Sequence, residues 1–160
     1  MICSLTDYLQ LLEKFYKHQY IQKKIQLLSS DYWDKLLGGV FDYHYLSHLL
    51  QKNPVNQIIL YLTFEDQYKF NIEGILIYGK IGLKPKLEWW LGIWELKLVA
   101  KSVNSTISGV GVDLIRWLEK KSFVKRIILI DHSDYPGYYN YLGYRLLNPN
   151  GIVSSRKWKR

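Results

Sequence analysis

The period of the apolar residues changes at Asn53-Pro54, and this change limits the possible folds more than any other feature of the chain. Upstream, within residues 4–52, Leu5, Leu9, Leu12, Tyr16 and Tyr20 recur every three or four positions, the spacing of one helix face. Ser4 with Asp7 resembles a capping box, with Asp in place of Glu. Ser29-Ser30-Asp31 interrupts the pattern and is expected to cap a second segment. Gly38-Gly39 interrupts it again, and Asp42 can cap a third segment carrying Tyr45, Leu46, Leu49 and Leu50. The residue before proline avoids the helical well, so Asn53-Pro54 ends this region. Downstream, residues 58–64 and 68–78 are β-rich around Glu65-Asp66-Gln67, the pattern of a hairpin. Residues 79–86 read as a loop with Gly82 and Pro85. The run 87–100 carries only Glu88, Glu95 and Lys97 as charges, which predicts a strand buried on both faces.

The last third alternates helix and strand. A loop of small residues over 102–111 leads into a helix over 112–121 and a strand over 124–130. A short helix over 136–142 follows, with Pro136 in its first turn and Gly143 just past its end. A strand over 144–147, the turn Asn148-Pro149-Asn150-Gly151 and a closing strand over 152–158 complete the chain. The expected class is mixed α/β, and 160 residues suit one domain. Residues 1–53 form its helical part and 54–160 its sheet part.

Composition removes several alternatives. An aromatic content of 16% excludes disorder as the main state. Cys3 is the only cysteine, which excludes an internal disulfide and a Cys-rich zinc site; no metal is expected. No apolar run reaches the ~18 residues of a membrane span. Residues 1–14 lack a basic stretch, and Asp7, Gln10 and Glu13 break their apolar content, unlike a signal peptide. The expected location is cytoplasmic. Lys and Arg number 22 against 14 Asp and Glu, a net charge of +8, which suits nucleic acid, an anionic surface or an acidic ligand. Arg156, Lys157, Lys159 and Arg160 cluster at the end; the others fall in pairs such as Lys23-Lys24, Lys120-Lys121 and Lys125-Arg126, the pattern of a solvated face. A nucleic-acid reading has only charge and aromatics behind it, since no basic recognition helix or aromatic-basic ribonucleoprotein phrase is present.

Two segments can carry chemistry. The first is Ser105-Thr106-Ile107-Ser108-Gly109-Val110-Gly111, between an expected strand and an amphipathic helix. Glycines let backbone approach an anion closely, and the amides at a helix start favour phosphate. A third glycine of a dinucleotide fingerprint would fall on Leu114, and no Gly-Lys-Ser/Thr follows as in a Walker loop. The second is Tyr138-Tyr139-Asn140-Tyr141-Leu142-Gly143-Tyr144, by itself an aromatic helix end closed by glycine.

In this order and spacing, the two resemble the GCN5-related N-acetyltransferase (GNAT) superfamily. Residues 109–119 resemble its motif A, Gln/Arg-x-x-Gly-x-Gly/Ala opening a long helix. Residues 138–144 resemble its motif B phrase, Phe-Tyr-x-Lys-Leu-Gly-Phe. The strand 126–130 falls between them, and the resemblance spans about residues 87–158. It implies a splayed central mixed sheet flanked by helices, behind an N-terminal helical segment. Acetyl-coenzyme A or a longer acyl-coenzyme A would bind at the splay. Its contacts would be Val99 and Ala100 on the preceding strand and the turn formed by Ile107, Ser108, Gly109, Val110, Gly111 and Val112. The implied activity is N-acyl transfer to a primary amine, such as a lysine or ornithine side chain or the N-terminus of a peptide. Such chemistry needs a base for the ammonium and an acid for the departing thiolate.

Glu95 lies 16 residues before Gly111, where several members carry a strand glutamate, and is the candidate base. Glu88 and the pair Asp131-His132 are its rivals, and pairing with Lys97 is the competing structural role. Tyr139 falls on the family's tyrosine and is the candidate acid, against packing within the tyrosine cluster. Thr106, Ser108, Asp113 and Tyr141 depart from the family's residues and leave room for an inactive domain of this type, binding coenzyme A or a protein partner. Strand alternation places Trp90 and Trp94 on one face and Trp89 with Glu95 on the other, as core or as the wall of an acyl or peptide channel.

Overall fold

The computed structural model describes residues 1–52, 55–66, 69–80, 91–130, 137–146 and 152–156. Strand β1 (Ile2–Ser4) leads into helices α1 (Leu5–Phe15), α2 (Lys17–Leu27), α3 (Ser30–Leu37) and α4 (Tyr43–Gln51). Strands β2 (Gln57–Asp66), β3 (Lys69–Gly79) and β4 (Ile93–Lys101) come next. Helix α5 (Val110–Glu119), strand β5 (Arg126–Ile130), helix α6 (Tyr138–Tyr141) and strands β6 (Arg145–Leu146) and β7 (Ile152–Arg156) complete the described elements. The strands form one mixed sheet in the order β1-β2-β3-β4-β5-β7-β6. The β4–β5 pair is parallel and every other pair antiparallel.

The two faces of the sheet bury separate cores. Leu5, Tyr8, Leu12, Trp33, Leu46 and Leu50 from the N-terminal helices pack on Leu60, Leu62, Ile75, Ile77 and Leu98. On the other face, Val110, Leu114, Ile115 and Leu118 of α5 pack on Ile59, Leu76, Leu96, Ile127 and Leu129. Alternation along β2 and β3 deals successive residues to the two faces. The helical half thus closes one face and the loop-helix unit after β4 closes the other.

The expected helix starts are present. Ser4 accepts a hydrogen bond from the Asp7 N–H at 3.0 Å, and Asp42 accepts one from the Tyr45 N–H at 3.0 Å. Gly38 and Gly39 both have positive φ and close α3. Several features differ from expectation. Residues 2–4 pair with β2 as an edge strand, a segment too short to show periodicity. Helical structure breaks at Tyr16 (φ −137°, ψ 47°), where the ring packs edge-on against Phe70 at 5.8 Å. Helix α6 is capped by Gly137 at φ +84°; Pro136 lies outside the described residues. Strand β7 inserts between β5 and β6. The segment 87–100 is corrected too. Its described part begins as strand at Ile93, with Trp94, Leu96 and Leu98 buried and Ile93, Glu95 and Lys97 half-buried. The charged side chains reach partial solvent, so β4 is not buried on both faces. Among the described residues, no helix is long and apolar enough to cross a membrane.

Candidate active site

The site grows out of an interruption in the sheet. Strand β4 pairs with β5 from Ile93↔Arg126 to Leu96↔Leu129. Beyond that point β4 stays on β3, with Leu98, Val99, Ala100 and Lys101 opposite Ile77, Leu76, Ile75 and Gly74. Strand β5 stays on β7 to Ile130↔Ile152. The two halves of the sheet therefore separate after Leu96 and Leu129. Val99 and Ala100, both half-buried, lie on the β4 stretch that has no strand on its β5 side among the described residues.

The loop after β4 brings the glycine turn to this opening. The Ser102 N–H continues the β3 ladder to the Glu73 carbonyl at 2.8 Å, and the Val103 N–H donates to the Leu36 carbonyl at 3.0 Å. The Ile107 N–H donates to the Ser105 hydroxyl at 3.3 Å. Gly109, at φ +77°, is the N-cap of α5 and supplies no side-chain acceptor. The N–H groups of Val110, Gly111 and Val112 precede the first intrahelical bond, from Asp113 to the Gly109 carbonyl at 2.9 Å. Such a start leaves N–H groups and the positive helix end available to an anion. Space is open there, because a Cβ on Gly109 would have nothing within 4 Å. Ser108 and Gly109 are exposed, Ile107, Gly111 and Val112 half-buried, and Val110 anchors the turn in the core. Gly111 joins the parts together, since a Cβ there would sit 3.3 Å from the Tyr138 hydroxyl and 3.8 Å from Val99.

Tyr139, 9% exposed, packs in the α5-side core, edge-on to Tyr138 at 5.1 Å and Tyr144 at 5.7 Å. The hydroxyl that a Gly111 Cβ would meet at 3.3 Å is that of Tyr138, a neighbour the motif does not single out. Burial raises the Tyr138 phenol above the ordinary tyrosine value.

Glu95 sits two residues before a kink in β4. Ile77 pairs with Leu98 and Tyr78 with Leu96, so Lys97 is the extra residue of a bulge, a device that re-aims side chains and backbone. The Lys97 ammonium bonds the Glu95 carboxylate at 2.9 Å, with the two side chains 19% and 28% exposed. The Tyr45 hydroxyl donates to the Lys97 carbonyl at 2.7 Å. Burial and the Glu95 charge raise the Tyr45 phenol, so it stays a donor at neutral pH. The Glu95–Lys97 pair is the competing role that the sequence offered; the bulge and the Tyr45 contact are tertiary features that no spacing reveals. Trp94 is core, edge-on to Tyr78 at 5.5 Å and Phe123 at 5.4 Å. Trp89, Trp90, Glu88, Asp131 and His132 lie outside the described residues.

No family model matches the sequence, and no curated protein matches it. Solved structures do match. Tetrahymena Gcn5 superposes with a TM-score of 0.57 at 12% identity, covering 87% of this chain and 89% of that one. A GNAT family acetyltransferase from Brucella melitensis, solved with acetyl-CoA, gives 0.54 at 15% identity over 86% and 84%. An aminoglycoside 6'-N-acetyltransferase complexed with coenzyme A gives 0.53 at 18% identity over 100% and 98%. At these identities the likeness shows a shared fold.

Proposed function

Taking the fold of the GCN5-related N-acetyltransferases as the premise, we propose that this chain is an acyl-coenzyme A-dependent N-acyltransferase working as a single domain over residues 1–160. The observation that carries the reading is the coincidence of sheet opening and bare helix start. Strands β4 and β5 part after Leu96 and Leu129, and the bare Gly111 faces Val99 and the Tyr138 hydroxyl, which a Cβ there would meet at 3.8 and 3.3 Å. Coenzyme A suits this place chemically. Its pyrophosphate would lie on the amides from Ile107 to Val112, and its pantetheine arm would run along the free edge of β4 past Val99 and Ala100. The acyl donor is acetyl-coenzyme A or a longer homologue.

The acceptor is a primary amine, on a lysine or ornithine side chain or a peptide N-terminus. Its nitrogen attacks the thioester carbonyl carbon, the new C–N bond replaces the C–S bond, and the thiolate departs. Glu95 takes the proton lost by the ammonium, directly or through water. Tyr139 gives one to the thiolate and is restored by the second proton, which the nitrogen releases as the amide forms; Tyr138 is a second candidate for that step, supported by its hydroxyl lying 3.3 Å from where a Gly111 Cβ would sit. The Lys97 ion pair has to open, or be traded for the acceptor's ammonium, before Glu95 can work. Thiol release with acyl-coenzyme A and an amine panel tests the reading. Glu95→Gln and Tyr139→Phe are expected to lower turnover while coenzyme A binding survives. Full activity in both would refute the residue assignment.

Two observations favour a second reading, a domain that binds coenzyme A or a protein partner without turnover. The candidate base is held by Lys97, and Thr106 stands where the motif has Gln or Arg. Coenzyme A binding without thiol release for any amine would select it.

A further inference from the structure

Helix α2 turns its aliphatic side chains away from the protein. Of its 11 residues only Leu27 is buried, whereas Ile21 and Ile25 are 69% and 67% exposed and Leu28, at the C-cap, 49%. Positions 21, 25 and 28 are four and three apart and fall on one stripe. Lys17, Lys23 and Lys24 lie on the same helix, which carries no Asp or Glu. At the ordinary helical rotation of about 100° per residue, Lys17 and Lys24 lie roughly 40° and 60° from Ile21, both along the Leu28 side of the stripe, with His18 and Gln22 on its other side. The nearest acids in sequence are Glu13 and Asp31, and Asp31 is already bonded to Lys35 at 3.1 Å.

The helix is held in place for this presentation. The Trp33 indole N–H, fully buried, donates to the Leu27 carbonyl at 2.8 Å. Contiguous exposed apolar surface marks a contact site. An aliphatic stripe with lysines along one edge, on a helix without Asp or Glu, has the charge and exposed apolar side chains that suit an anionic membrane interface. The net charge of +8 adds a long-range attraction of the same sign.

We propose that α2 is a docking helix for an anionic lipid surface, with Ile21, Ile25 and Leu28 entering the headgroup–acyl boundary and Lys17 and Lys24 meeting lipid phosphates. The inference does not depend on acyl transfer, since it uses none of the residues placed at the splay.

Co-sedimentation of the full chain with phosphatidylcholine vesicles, with and without phosphatidylglycerol, tests it. The wild type is expected to bind the anionic vesicles at low salt and to be released as salt screens the lysines. The pair Ile21→Gln, Ile25→Gln is expected to weaken binding roughly tenfold or more with an unchanged melting temperature. The pair Lys17→Gln, Lys24→Gln is expected to weaken binding and flatten its salt dependence. If the double isoleucine variant melts early, Ile25→Gln alone provides the same readout. Failure of the wild type to sediment with anionic vesicles overturns the proposal, as does equal binding by folded isoleucine variants. Self-association of the wild type that these variants abolish, without vesicle binding, assigns the stripe to a second copy and also overturns it.

Discussion

Glu95, the base in the proposed reaction, is the one half-buried carboxylate among the described residues of β4, and Lys97 is bonded to it across the strand bulge. Removing a positioned base from a proton-transfer step costs about 10²–10⁴-fold. Glu95→Gln is therefore expected to lower kcat by at least about 10²-fold, with the coenzyme A Kd unchanged in a titration calorimeter. A second residue is tested by its chemistry. Cys3 sits in β1 with its thiol pushed up from 9.0 to about 11, chiefly by burial and then by Asp7, with the N-terminal ammonium opposing. The thiolate is the reactive form, and the folded state withholds it. Alkylation by iodoacetamide at about pH 8 is expected to be roughly 100-fold slower in the native chain than in denaturant, read by mass spectrometry. Equal rates would mean that β1 frays from β2.

The turn that opens α5 and the contact that ties α2 to α3 carry the predictions for elements. Gly109 has φ +77° and empty space where a Cβ would point. Gly109→Ala therefore meets only the backbone cost of a left-handed residue, about 1–2 kcal/mol, seen as a lower midpoint in urea. Trp33→Phe removes the donor to the Leu27 carbonyl and leaves a buried acceptor unpaired, for a loss of about 1–3 kcal/mol on the same measurement. Much at this scale was legible in the sequence. Ser4, Asp42 and the glycine pairs act through backbone rules that a reader can apply locally, and the hairpin of β2 and β3 shows as two β-rich runs. The bulge at Lys97, the strand at Ile2–Ser4 and the Tyr16 break were not legible. Each is set by register or by a ring packing across the sheet, not by a neighbour in sequence. For the same reason the phrase singles out Tyr139 alone, whereas the fold also sets the Tyr138 hydroxyl 3.3 Å from where a Gly111 Cβ would sit.

Across the whole molecule, the N-terminal helices and the sheet share one core, in which Leu5, Leu12, Trp33 and Leu46 cover Leu60, Ile75 and Ile77. Residues 54–160 expressed alone would expose that face, and they are expected to aggregate or to lack a cooperative melt. A sharp two-state transition in that piece would show that the helical part is an accessory. The other core fixes the opening between β4 and β5, and the central claim is that this opening receives acyl-coenzyme A. The direct measurement is the melting temperature of the full chain against coenzyme A and acyl donors from acetyl to long chain. A ligand at 100 times its Kd that binds only the native state adds about 2.7 kcal/mol, a rise of roughly 5–10 °C for a chain of this size. The expected result is such a rise, largest for the cognate acyl length and lost when Gly111→Trp fills the contact between Val99 and Tyr138. No rise with any donor near millimolar concentration would contradict the claim.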